Sequence, residues 1–310
     1  MFPPVLVLAP VAIGLVPAAS GLADARWPHR SPAAAILLWQ AMGLGWGLAT
    51  IGTLAALGAD PGQSGLAGGA LRVLAGVPRD VLDDVHPLGV VGALRLSCLA
   101  AATVLLSLLC WVLLAASASV LRDRRRHRAL LSLLAHGDPK VPGALVVDHP
   151  AAAAYCVPGL RSQIVISAGA LDLLDQAELA AVLAHERAHI RERHDLVLLP
   201  FTALSRAFPW AASVHRARAT VALLIEMLAD DHALRHRPAR ELVTALIRVG
   251  AAGTLAPAAT LAVTGEHAMT ARVERLLAPA PGLSVPARAL VAVACAGLVL
   301  VPSALLLLPV

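Results

Sequence analysis

The chain has 310 residues, 58% of them hydrophobic, with a mean hydropathy of +0.75 and only 15% charged residues. That apolar share exceeds what soluble domains carry, so an ordinary soluble protein is excluded and membrane spans are expected. The net charge of +5 comes from arginine, with Lys140 the single lysine, and is explained by anionic lipid and a positive-inside bias rather than by nucleic-acid binding.

Four spans are predicted. Phe2 to Gly21 is apolar and uncharged. Small residues Pro17 to Ser20 lie near its end, but no basic segment precedes it, so it reads as a span rather than a cleaved signal peptide. Ala33 to Gly58 is the second and Gly89 to Val120 the third, with Arg95 snorkelling at an interface; Ala289 to Val310 is the fourth. Arg26, His29 and Arg30 follow the first span, and Arg122, Arg124, Arg125, Arg126 and Arg128 follow the third. Such clusters stay cytoplasmic, which puts both termini and the loop Ala59 to Leu88, with its mixed charges, outside the cytoplasm. The expected division is a membrane region at 1–120 (spans about 2–21, 33–58 and 89–120), a cytoplasmic domain at 121–286 and a last span at 287–310.

The cytoplasmic segment opens with predicted strands at Ala144 to Val147, Ala152 to Val157 and Gln163 to Ser167, the latter two joined by a turn at Pro158-Gly159. Helices follow. Asp175-Gln176-Ala177-Glu178 has the form of a capping box and starts a helix at Gln176. Leu196 to Trp210 is bulky and apolar but contains Pro200, Arg206 and Pro209, which disfavours a span; a membrane-surface or re-entrant helix fits better. A helix carrying Glu226 ends before Pro238, and shorter ones are expected at Glu241 to Gly250 and Met269 to Leu277. Cys98, Cys110, Cys156 and Cys295 are not placed as disulfide partners or as a C-x-x-C metal site.

The Gln176 helix carries His185-Glu186-Arg187-Ala188-His189, an H-E-x-x-H pattern. Residues four apart share a helix face, so His185 and His189 can offer two imidazoles to one zinc ion, with Glu186 beside the attacking water as general base. The chemistry this points to is hydrolysis of a peptide bond. A third ligand is required. His194 and Asp195 are close in sequence, but continuing the helix by nine residues turns His194 to the opposite face, where it should be exposed. Glu226 is the better choice, an acid in the otherwise apolar stretch Thr220 to Leu228 where an unpaired carboxylate is costly. Asp230, four residues on, can accept the second ring N–H of a ligand histidine. The plainer alternative pairs Glu226 and Asp230 with Arg216, Arg218 or Arg235 as helix salt bridges. The group stabilising the oxyanion stays open among His232, Arg235 and Arg237; His232, off the Glu226 face, is expected to be exposed.

With these residues in view, the chain resembles the BlaR/MecR-type antirepressor metallopeptidases of bacteria and, more distantly, the Ste-type and heat-shock membrane zinc proteases. The resemblance runs through His185-Glu186-x-x-His189, Glu226 to Asp231, Arg272-Val273-Glu274-Arg275-Leu276 and the three-plus-one order of spans. It implies a mainly α membrane protein of four transmembrane helices, with a cytoplasmic α+β zincin-type (gluzincin) domain between the third and fourth. It also implies an endopeptidase with His185, His189 and Glu226 as zinc ligands, Glu186 as base and Asp230 behind a ligand. Its partners would be a protein or peptide substrate, a BlaI/MecI-like winged-helix repressor or the chain itself among them, the lipid bilayer, and as an option a second copy of the chain. No direct nucleic-acid contact is expected. By the same resemblance, the strand around Ala153 to Val157 would hold substrate extended along its edge. The family's β-lactam sensors use a Ser-x-x-Lys nucleophile, whereas here Gly137 stands three residues before Lys140, so covalent β-lactam sensing by this chain is not expected. A membrane-protein quality-control protease and a non-catalytic scaffold with a structural zinc are the alternatives.

Overall fold

The computed structural model describes residues 4–58, 90–139, 141–159, 162–252 and 266–307; the predicted outer loop and Lys140 lie outside them. The chain divides into two compact units. The first contains residues 1–25, 37–112 and 284–310, and the second residues 26–36 and 113–283.

Among the described residues, four helices are long and apolar enough to cross a membrane, which fits a multi-pass membrane protein. They are α1 (Val5–Asp24), α3 (Pro32–Gly58), α4 (Val90–Leu134) and α11 (Val285–Leu307). In the first unit, small residues let these helices approach closely: a Cβ on Gly45 would stand 2.7 Å from the backbone oxygen of Leu298, and one on Gly58 2.8 Å from that of Arg95. The helix that carries the third predicted span continues past Val120. Helix α4 runs through the arginine cluster as one 45-residue helix, about 70 Å long and more than twice what a hydrocarbon core needs. Its C-terminal part, from Leu113, belongs to the second unit.

The second unit also takes in α2 (Trp27–Arg30), between the first two spans, which the linear division into 1–120 and 121–286 had set apart. After α4 the chain forms a four-stranded sheet, β1 (Ala135–Gly137), β2 (Ala144–Val147), β3 (Ala154–Val157) and β4 (Gln163–Ser167), in the order β1-β2-β4-β3. The central pair β2–β4 is parallel and both outer pairs are antiparallel. Three strands fall where alternation and turn residues predicted them; β1 has the sequence Ala-His-Gly, which gives no strand signal. Strand periodicity divides the sheet's side chains between two faces. Ile164 and Ile166 are buried with Leu174, Leu179 and Leu183, while Val165 and Val157 are buried with Leu131 of α4.

The helices then follow: α5 (Ala168–Leu173), α6 (Gln176–Arg191), α7 (His194–Ala207), α8 (Ala212–Leu234), α9 (Ala239–Ala251) and α10 (Glu266–Leu277). The capping box starts α6 where predicted: Asp175 accepts from the backbone N–H groups of Ala177 and Glu178 at 2.8 Å, and Glu178 accepts from that of Asp175 at 3.0 Å. Two satisfied amide groups at its first turn, and Leu179 and Leu183 buried against the sheet, fix the rotation of α6 about its axis.

Candidate metal centre

Helix α6 presents His185, Glu186 and His189, and α8 presents Glu226 and Asp230. The packing of α6 against α8 brings them together. The Nε2 atoms of His185 and His189 stand 3.1 Å apart, and the Glu226 carboxylate lies 3.4 Å from the first and 3.6 Å from the second. These three side chains form the one group among the described residues able to hold a metal ion between at least three His, Cys, Asp or Glu side chains.

The donor set fits zinc on chemistry and on spacing. Two imidazole nitrogens and a carboxylate are a common ligand set for a catalytic site, and ligands about 2.0–2.1 Å from a tetrahedral ion sit about 3.3 Å from one another. Two neutral imidazoles with facing Nε2 atoms can share only one proton between them, whereas a cation there uses both lone pairs.

A cleft of about 560 Å3 opens on these groups, bordered by Tyr155 and Cys156 of β3 on one side and by Leu242, Leu246 and Met269 on another. Burial in it pushes the Glu186 carboxyl up to about 7, with the Glu226 charge adding to the effect. Burial also opposes a charge on His185, but hydrogen bonds to Asp230 and Glu226 outweigh it and raise the imidazole to about 10. At His189 burial prevails and lowers the ring to about 3. Burial raises the Cys156 thiol to about 12 with help from Glu186, so it is no nucleophile.

Asp230 is 1% exposed, with Oδ1 2.9 Å from His185 Nδ1. The cation that both carboxylates of α8 meet comes from another helix. Arg272, from α10, donates from Nε and Nη2 to Asp230 at 2.9 and 2.7 Å, and its Nη1 lies 3.1 Å from Glu226. Burial opposes the ionised form of each acid, yet this guanidinium outweighs it and holds both carboxyls below their ordinary range. Arg272 stood in the sequence only as part of a resemblance; a buried acid pair without a cation of its own is the signal that called for it. Three residues along α10, Arg275 grips Asp231 at 2.8 Å and donates from Nε to the backbone oxygen of His29 at 2.6 Å. Asp231 thus faces away from the metal ligands into a different ion pair.

Two expectations are overturned. His194 is 4% exposed, not solvent-facing, because α6 ends at Arg191 and its phase stops there. Arg193 takes a left-handed conformation (φ 52°), which reverses the chain and returns His194 to within 3.0 Å of His189, Nδ1 to Nδ1. His232 is 7% exposed: it is off the Glu226 face, as its phase requires, but packs on Glu192 in that same reversal, with Nε2 2.7 Å from Oε1. Asp195, the other sequence-adjacent ligand option, pairs instead with Arg124 of α4 at 2.7 Å.

Residues 120–256 match the model of Peptidase family M48, and no curated protein or solved structure matches the chain. The matched segment includes α6 and α8 with all five predicted site residues, while Arg272 lies beyond it. The match to this family, with a His-His-Glu cluster inside the matched segment, indicates a zinc metallopeptidase, a hydrolase of peptide bonds.

Proposed function

We propose that the chain is a membrane-embedded regulatory endopeptidase that cuts a cytoplasmic winged-helix repressor, itself, or both, with His185, His189 and Glu226 as zinc ligands and Glu186 as general base. The observation that carries the chemistry is the approach of the two Nε2 atoms and the Glu226 carboxylate within 3.1–3.6 Å, with Glu186 in the same cleft. When bound, zinc supplies Lewis-acid activation of water and of the scissile carbonyl. Glu186 takes the proton of the attacking water and delivers it to the leaving amine. Asp230 holds His185 through Nδ1, and Arg272 keeps Asp230 and Glu226 ionised and in place. Strand β3 pairs with β4 at one edge and borders the cleft, which places it to align an extended peptide.

The regulatory reading is supported by the sequence likeness to BlaR/MecR-type antirepressors, and the cytoplasmic placement by the arginines on α4. Arg122, Arg125 and Arg126 are exposed just beyond its apolar stretch, as the positive-inside rule expects of a cytoplasmic end. The test is to incubate a purified BlaI/MecI-like winged-helix repressor with wild type and Glu186→Gln. Cleavage by wild type alone is expected; an intact repressor alongside broad cleavage of unfolded membrane proteins would assign a quality-control role instead. A cysteine at the exposed Ser132 should react with an impermeant maleimide only after cells are permeabilised, and labelling of intact cells would overturn the orientation.

A further inference from the structure

Behind the ligand face, a row of polar side chains leads away from His189. Its Nδ1 stands 3.0 Å from His194 Nδ1. His194 Nε2 stands 3.4 Å from Glu192 Oε2, close enough for charge attraction but outside hydrogen-bond geometry, and Glu192 Oε1 lies 2.7 Å from His232 Nε2. The row ends at His232, whose Nδ1 lies 3.0 Å from the backbone oxygen of Leu228. His194 and His232 are both buried, so bulk water does not supply these contacts.

We propose that His194, backed by Glu192 and His232, is the positioning residue that fixes the tautomer and ring orientation of His189 for metal binding. This rests on the reading of His189 as a zinc ligand. For His189 to offer its Nε2 lone pair, its proton has to sit on Nδ1 and be donated outward. The group at 3.0 Å must therefore be an acceptor. His194 Nδ1 accepts only when the His194 proton is on Nε2, and the Glu192 carboxylate 3.4 Å from that nitrogen favours the proton there by charge. The opposite tautomer of His194 would set two N–H groups against each other at the first link and leave the Glu192 carboxylate facing a bare lone pair at the second.

The backbone supports this assignment. The left-handed conformation at Arg193 costs a non-glycine residue free energy and persists only where surroundings impose it. Its effect is to bring Glu192 and His194, on either side of it, into one row with His189 and His232. The two ligand histidines are thus held differently, His185 by a carboxylate directly and His189 by an imidazole with the carboxylate one step further out.

The experiment is a zinc-buffered titration of the full-length protein in nanodiscs for wild type, His194→Ala, His194→Asn and His189→Ala, with thermal melting of the metal-free forms as the fold control. His194→Ala should bind zinc about 10- to 100-fold more weakly, the range typical of lost outer partners, while melting near wild type. His194→Asn, whose Oδ1 can accept from His189 Nδ1–H, should recover most of that loss, which a purely space-filling role would not predict. Wild-type affinity in His194→Ala, or an asparagine variant no better than alanine, would overturn the proposal. Should His189→Ala itself retain zinc, the ligand reading would fall first, and this assignment with it. If His194→Ala does not fold, Glu192→Gln decides, since it alters the acceptor without emptying the site: weaker zinc binding supports the row, and unchanged binding refutes it.

Discussion

Replacing Arg272 by methionine, similar in length and without charge, should uncouple the stability of the catalytic unit from its zinc content. The guanidinium makes contacts of 2.9 and 2.7 Å to Asp230 and 3.1 Å to Glu226, and both it and Asp230 are buried. Removing one partner of a buried ion pair leaves an uncompensated charge and costs about 3–5 kcal/mol. For a domain of this size, about 1 kcal/mol corresponds to roughly 2–4 °C, so the metal-free variant should melt roughly 6–20 °C lower. Zinc reverses part of that loss, because a divalent cation among His185, His189 and Glu226 supplies the positive charge that Arg272 took away. The assay is thermal melting in nanodiscs with a chelator and with saturating zinc. The zinc-induced rise in melting temperature should be larger in Arg272→Met than in wild type. Arg272→Lys should fall between them, since a single ammonium cannot reproduce the bidentate contact. In the double variant with Asp230→Asn, the second change should cost less than it does alone. A metal-free Arg272→Met protein melting within about 2 °C of wild type would mean that the ion pair contributes little net stability, and would refute this account of how the two acids are kept buried.

Three further outcomes are expected. His185→Ala, His189→Ala and Glu226→Ala should each lose most of the bound zinc, whereas Glu186→Gln should keep it and lose cleavage; metal analysis beside a peptide-cleavage assay separates the two classes, and full zinc in Glu226→Ala would remove it from the ligand set. Asp230→Asn should weaken zinc binding about 10- to 100-fold in a buffered titration, while Asp231→Asn, which faces Arg275, should leave affinity unchanged and only lower the melting temperature; the reverse pattern would contradict the helical phase of α8. Zinc affinity should rise with pH between 6 and 8 by about tenfold per unit, because His185, held up near 10, carries a proton that the ion must displace, whereas His189 and Glu226 are already deprotonated; a flat profile would show that no such proton is released.

How much of this was legible in the sequence depends on how far each contact reaches along the chain. Asp175 and Glu178 announce the start of α6 because a capping box is closed within four residues. His185 with His189, and Glu226 with Asp230, could be grouped because one helical turn separates the members of each pair. His194 was misjudged because a single left-handed residue, Arg193, ends the helical phase, and arginine gives no warning of that conformation as glycine would. His232 was misjudged with it, since its partner Glu192 sits in the same reversal. Arg272 lies 42 residues from Asp230, a separation over which no periodicity survives; only the excess of buried acid indicated that a cation had to arrive from elsewhere.

The bond from Arg275 to the backbone of His29 joins positions 246 residues apart, and Leu283 donates from its backbone to Ser31 Oγ at 3.0 Å. A chain made from its N-terminus at about 5–20 residues per second therefore carries the first half of this clasp for roughly 12–50 s before the second half exists. For roughly the last 2–9 s of that interval Asp231 and the α8 acids beside it exist without the arginines of α10, so the catalytic unit is completed only once α10 has been made, after both apolar helices flanking His29. The zinc peptidase unit is thereby kept unfinished until α10 has emerged from the ribosome.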